Sequence, residues 1–224
     1  MTPILGMTKL YIRTLLEELL EQDLDNRAGD APAAAALDAQ MNEAIRKVST
    51  DVRPVRRLQL AYTTGQPAVD LDTHSPRIWT VHQVQVGAAK LVDHRGEQRL
   101  YSYAQLALDI ANFEAGGTTG TPTHAAQLGT ILYLYPKPQA ALTITVVADA
   151  YFPDVPVADG QEMDMPHELA EAVAYHAAVL ASESRTHMPH QTERMNNARA
   201  RADDLVLKWR LKFDEQRKAL GVSA

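Results

Sequence analysis

Three groups of residues have types and spacing that could do chemistry. His187 and His190 stand close together, with Glu183 about one helical turn earlier. Two imidazoles and a carboxylate form a zinc-ligand set. Pro189 interrupts the pair, however, and the spacing is not the i, i+4 pattern that puts two histidines on one helix face. Gly116, Gly117 and Gly120, with Thr118 and Thr119 between them, have the composition of a phosphate-cradling loop. A P-loop needs Lys and then Ser or Thr after its last glycine, and here Thr121 and Pro122 follow. Asp159, Glu162 and Asp164 could approach calcium but lack the spacing of an EF-hand loop, so they read as a solvated acidic loop before a helix. His176 falls on an apolar helical stripe and reads as a packed core histidine. There is no G-x-S-x-G elbow and no grouped Ser, His and Asp. The expectation is no catalytic residue, no cofactor-binding residue and no metal ligand.

Composition narrows the field further. The chain has 224 residues, 46% of them hydrophobic and 22% charged, enough for a packed core in one large or two small domains. With no cysteine, disulfide scaffolds, Cys-ligated metals and thiol catalysis are excluded. No apolar run approaches bilayer-spanning length, and Met1 to Leu10 does not read as a signal peptide, which predicts a soluble protein made in a cytoplasm. The net charge of −6 opposes a nucleic-acid grip through phosphates. The signs separate near the end: Asp154 to Glu183 holds seven acids and no Lys or Arg, whereas Arg185 to Lys218 holds nine basic residues and five acids.

The elements that would position these residues follow from hydrophobic period. Ile12, Leu15, Leu16, Leu19 and Leu20 predict a helix over Thr8 to Gln22, and Leu37, Met41, Ala44, Ile45 and Val48 predict another over Ala33 to Thr50. Near Pro54 the period changes. Alternation predicts strands over Arg57 to Thr63, Arg77 to Gly87, Ala126 to Tyr135 and Leu142 to Phe152, with a short helix over Ser102 to Phe113. In the second strand, Ile78, Thr80, His82, Val84 and Val86 share one face. Pro136 and Pro138 mark a turn. The Gly116 to Gly120 segment reads as a loop ordered mainly by a neighbouring molecule, since fixing so many glycines is entropically costly. From Met163 onward the pattern is helical again. Leu169, Val173, His176 and Leu180 form one stripe, and a long helix runs from Gln191 to Ala219. The fold class is α+β: a mainly α-helical bundle from residues 1–53 and 163–224, with an inserted antiparallel β-rich domain over 54–162.

The last helix carries more apolar surface than one face needs. At 100° per residue, Leu205, Val206, Trp209 and Phe213 share one sector, and Leu207 and Leu211 fall about 150° and about 170° from its centre. Arg210 and Asp214 separate the two on one side, and Lys208, Lys212 and Glu215 on the other. Such a helix is either sandwiched within its own domain or packs at home with one face and on another chain with the second. On the second reading Leu207, Leu211, Trp209, Arg210, Lys212 and Phe213 are the candidate partner-contact residues, with the Leu207 and Leu211 face as the partner side.

The order of elements resembles that of the bacteriophage head–tail adaptor, or connector and neck, proteins. The most specific local match is Gly120-Thr121-Pro122-Thr123-His124, followed by the apolar strand Ile131-Leu132-Tyr133-Leu134-Tyr135 that ends in Pro136-Lys137-Pro138. The strand over Ala141 to Phe152, the acidic loop and the helix begun at Pro166 also follow the family's layout. The resemblance implies a non-enzymatic virion protein without cofactors. It would form a homo-oligomeric, dodecameric ring under the portal at the neck, touching neighbouring adaptor subunits. The ring would extend the DNA channel, with DNA passing non-specifically, and dock the next neck or tail protein; no membrane is involved. Two other readings fit the same residues: a phage tail-completion, stopper or tail-tube protein, and a cytoplasmic ligand-binding protein or enzyme subunit.

Overall fold

The structure is a computed structural model that describes residues 7–20, 31–63, 68–92, 100–110, 118–183 and 189–221. The chain divides into two compact units, Met1–Pro54 with Tyr151–Glu215, and Val55–Ala150 with Gln216–Ala224. The architecture is α+β.

In the first unit, α1 (Lys9–Leu20) begins where Thr8 Oγ1 accepts a hydrogen bond from the Tyr11 amide, and it buries Ile12 and Leu16. Helix α2 (Ala31–Val52) buries Leu37, Met41, Ala44, Ile45, Val48 and Val52 along one stripe. Arg53 ends it at φ 47°, in the left-handed region, with its amide bonded to the Ser49 carbonyl, and Pro54 follows. The buried Ser49 hydroxyl accepts from the Phe152 amide and Asn42 from the Val155 amide, which fixes the returning chain against α2. Helix α4 (His167–Glu183) opens with Pro166, whose carbonyl accepts the Leu169 and Ala170 amides. It packs against both α1 and α2. The expected single stripe proves too narrow: Leu169, Ala170, Ala172, Val173, Ala174, His176, Ala177, Ala178, Val179 and Ala181 are all buried, and Leu180 only partly so. An apolar helix buried nearly all round is a central helix, and its alanines let neighbours approach closely. The long helix α5 runs from Pro189 to Ala219.

The second unit has two four-stranded sheets, ordered β1-β8-β3-β4 and β2-β7-β6-β5. The strands are β1 (Val55–Tyr62), β2 (Ala68–Asp70), β3 (Ile78–Val86), β4 (Ala89–Lys90), β5 (Tyr101–Ser102), β6 (His124–Leu128), β7 (Ile131–Tyr135) and β8 (Leu142–Ala150). All pairings are antiparallel except β5 with β6. Leu60, Ile78, Val81, Val84, Leu132, Leu134, Ile144 and Val146 form one interior between the sheets. Gln127 ties them further, its Oε1 accepting from the Val81 amide and its Nε2 donating to the Trp79 carbonyl. Helix α3 (Tyr103–Asp109), capped by Ser102, sets Leu106 into a small cluster with Tyr101 and Ala126.

Three expectations change here. The strand expected over Ala126 to Tyr135 is a hairpin, β6 and β7, turned at Gly129 with φ 58°. Register shifts in β3 lie between Ile78 and Thr80 and between Val81 and Gln83, so Ile78, Val81 and Val84 face the interior instead of a strict alternation. Residues 118–120 are held within the chain: the Gly120 amide donates to the Lys137 carbonyl at 2.9 Å, and the Lys137 amide to the Thr118 carbonyl at 3.0 Å. Gly116 and Gly117 lie outside the described residues.

Candidate docking surface

The C-terminal helix α5 has two unlike sides. Ala198, Ala202, Leu205, Val206 and Phe213 are buried, Phe213 to 6% exposure. Leu207 and Leu211, one turn apart, stand 56% and 58% exposed. An exposed leucine is ordinary when alone, but two stacked on one helix face form a contiguous apolar strip. Arg210 is exposed beside them.

Trp209 and Lys212 are engaged at home. The half-buried Trp209 donates its indole N–H to Glu168 Oε2 at the start of α4, and its ring tilts against Phe213 at 5.6 Å between centroids. Lys212 Nζ lies 4.0 Å from the Trp209 ring centroid and 3.6 Å from Glu168 Oε2. These exposed charges contribute little stability individually, about 0–1 kcal/mol each. The rotation of α5 about its axis is set by its buried Ala198, Ala202, Leu205, Val206 and Phe213, and the contacts at Glu168 are consistent with it. That rotation turns Leu207 and Leu211 away from α4. Of the six residues named from sequence, the structure leaves Leu207, Arg210 and Leu211 outward, joins Trp209 and Lys212 at Glu168, and buries Phe213.

Sequence reasoning missed other exposed apolar residues, Leu10, Tyr11 and Val157 in the helical unit and Leu108 and Leu128 in the β unit. Leu10 and Tyr11 sit just outside the stripe that marks α1, and Val157 sits in a loop without period. It also missed two sets of buried charge. Lys9 Nζ is 2.9 Å from Asp38 Oδ1, and Arg13 Nη1 donates to Asp159 Oδ2 at 2.6 Å. In the β unit, Asp149 lies on β8 between interior-facing Ala148 and Ala150, so it points to the opposite face of the sheet. There Arg217 Nε is 3.2 Å from Asp149 Oδ1, and His82 Nε2 is 3.0 Å from the same oxygen, though not aligned for a hydrogen bond.

Asp159 therefore serves as an ion-pair partner. Among the described residues, no three His, Asp or Glu side chains are grouped to hold a metal ion. His187 lies outside the described residues, as do the side chains of Glu183 and His190. Among the described residues, no helix is long and apolar enough to cross a membrane.

Fold and surface define a class of protein: an α+β chain with a closed β interior and a helical unit that presents apolar residues outward. Residues 12–219 match the family described as SU10 adaptor protein, and the chain belongs to that family of phage adaptor proteins. No curated protein matches it. Membership makes the chain a structural component of a phage virion that meets other head or tail proteins.

Proposed function

We infer that this protein is a head–tail adaptor at the virion neck. Its subunits form a dodecameric ring under the portal, extend the DNA channel and dock the next neck or tail protein. The role is structural and not catalytic. The observation that carries the reading is the outward strip of Leu207 and Leu211 on a helix whose opposite side is buried. Within an adaptor family, an apolar strip held at fixed rotation is a docking surface for the portal or an adjacent subunit. Burying a leucine contributes on the order of 1.5–3 kcal/mol, and repetition around a ring multiplies a weak contact. The net charge of −6 suits a conduit, because an acidic lumen does not hold the phosphate backbone and DNA can slide.

The test is co-sedimentation of the purified chain with tailless, portal-bearing heads, followed by tail addition. Saturable binding that makes the heads competent for tails is expected. Heads that reach full tail attachment without this chain bound would overturn the reading.

A further inference from the structure

Among the described residues, the large exposed apolar side chains of the helical unit form two patches. One is Leu207 and Leu211 on α5. The other is built where the segment before α4 runs beside the start of α1. The Met163 amide donates to the Met7 carbonyl at 2.7 Å, the Lys9 amide to the Gln161 carbonyl at 3.2 Å and the Leu10 amide to the Asp159 carbonyl at 2.9 Å. This antiparallel run sets Val157, 96% exposed, just beyond the carbonyl that receives Leu10. Leu10 and Tyr11 are about half exposed, and the Tyr11 ring leans on His167 with centroids 6.0 Å apart.

The two patches carry opposite charge. Residues 151–168, which frame the second patch, hold five Asp or Glu and no Lys or Arg. Asp159 is paired with Arg13 and Glu168 with Lys212 inside the chain, so the acidic excess rests mainly on Glu162 and Asp164. Residues 207–215 of α5, the part of the helix in this unit, hold Lys208, Arg210 and Lys212 against Asp214 and Glu215. Both patches also belong to the same compact unit, so one subunit presents both at a fixed separation.

We propose that the two patches are the two halves of one interface between copies of this chain: Leu207 and Leu211 of one subunit seat on Leu10, Tyr11 and Val157 of the next. The proposal rests on the adaptor reading only in that the copies close into a ring. A ring of identical subunits is built from heterologous contacts, which need two different surfaces on every subunit. Pairing either patch with itself would set Arg210 against Arg210 or the acidic segment against its own copy. Pairing the unlike patches places Arg210 against the acidic segment, with aliphatic and aromatic side chains at the centre and charges at the rim.

The absence of cysteine from the chain makes the test clean. Full-length Leu211→Cys and Tyr11→Cys variants are prepared separately and treated with a short bismaleimide, alone and mixed, free in solution and bound to portal-bearing heads. Both substitutions are at exposed positions, and circular dichroism confirms folding. Covalent dimers are expected only in the mixture, and a chain carrying both cysteines gives a ladder of higher oligomers. Dimers of Leu211→Cys alone, matching the yield of the mixture, would show an isologous contact and overturn the proposal. So would head-bound chains with no mixed cross-link, an outcome that leaves the adaptor reading standing. Mixed cross-links formed in solution by a chain that never binds heads would do the reverse.

Discussion

The β unit and the helical unit handle apolar residues differently. Between its two sheets the β unit encloses Leu60, Ile78, Val81, Val84, Leu132, Leu134, Ile144 and Val146, and the faces close on each other, with Leu108 of α3 and Leu128 at the end of β6 exposed outside that interior. The helical unit is organised around α4, whose alanines make it thin and easily surrounded. Helices added around such a centre satisfy it with one face each and have other faces to offer. Leu10, Tyr11, Leu207 and Leu211 stand exposed on α1 and α5. The lesson is a division of labour. A closed sandwich gives a rigid body, and helices around a slim centre give surfaces that another chain can cover.

The largest effect that would break this comparison lies in the β unit. Asp149→Ala leaves the buried Arg217 guanidinium without its carboxylate and takes the neighbouring anion from His82. Removing one partner of a buried pair costs about 3–5 kcal/mol. Denaturant unfolding of the full chain should show a loss of that size, and a change below about 1 kcal/mol would mean that solvent reaches this cluster.

A smaller loss is expected at the hairpin that sequence pattern did not reveal. Gly129 has φ 58°, and a Cβ there would meet nothing within 4 Å. Gly129→Ala therefore tests backbone conformation without steric clash. It should destabilise by about 1–2 kcal/mol, the cost of a left-handed L-residue. No measurable change would place the turn in another conformation.

The helical interior should respond to pH more gently. Burial, and then the positive charge of Lys47, hold the His176 imidazole below its ordinary range. Its Nε2 is buried without a hydrogen-bond partner among the described residues. The unfolded chain takes up a proton near the ordinary histidine value, about 6.5, and the folded chain resists it. The stability from this group is thus complete above that value and is lost as pH falls through it toward the lower folded value. The slope should not exceed about 1.4 kcal/mol per pH unit. Urea melts between neutral and mildly acidic pH should show this slope in the parent chain and a flatter one in His176→Gln. Parallel slopes would assign the acid sensitivity elsewhere.

Much of the helical architecture was legible because long 3.6-residue periods are redundant. Ile12 with Leu16, and Leu37, Met41, Ile45 and Val48, each repeat the signal over several turns. The same arithmetic separated Leu207 and Leu211 from Leu205, Val206 and Phe213, and the structure has the first pair exposed and the other three buried. Alanine gives little contrast, so α4 read as one stripe although it is buried nearly all round. The strands Ala68–Asp70, Ala89–Lys90 and Tyr101–Ser102 are too short to show a period. A single glycine inside an apolar run did not announce the turn between β6 and β7. The irregular register of β3 shifts the alternation that would have identified its inner face. Arg217 and Asp149 meet across 68 positions, a pairing that no local pattern encodes. Leu10 and Tyr11 count as surface only once the packing of α1 is known.

The central claim is that the Leu207 and Leu211 face exists for another molecule and not for the fold. Leu207→Asp combined with Leu211→Asp tests it most directly. Substitutions at exposed helix positions shift stability by about 0.5 kcal/mol or less each, the smallest folding effect of the set. The double variant should keep the circular dichroism spectrum and melting temperature of the parent chain, yet fail to attach to portal-bearing heads. Normal attachment by the folded double variant, or its unfolding as a free subunit, would contradict the claim.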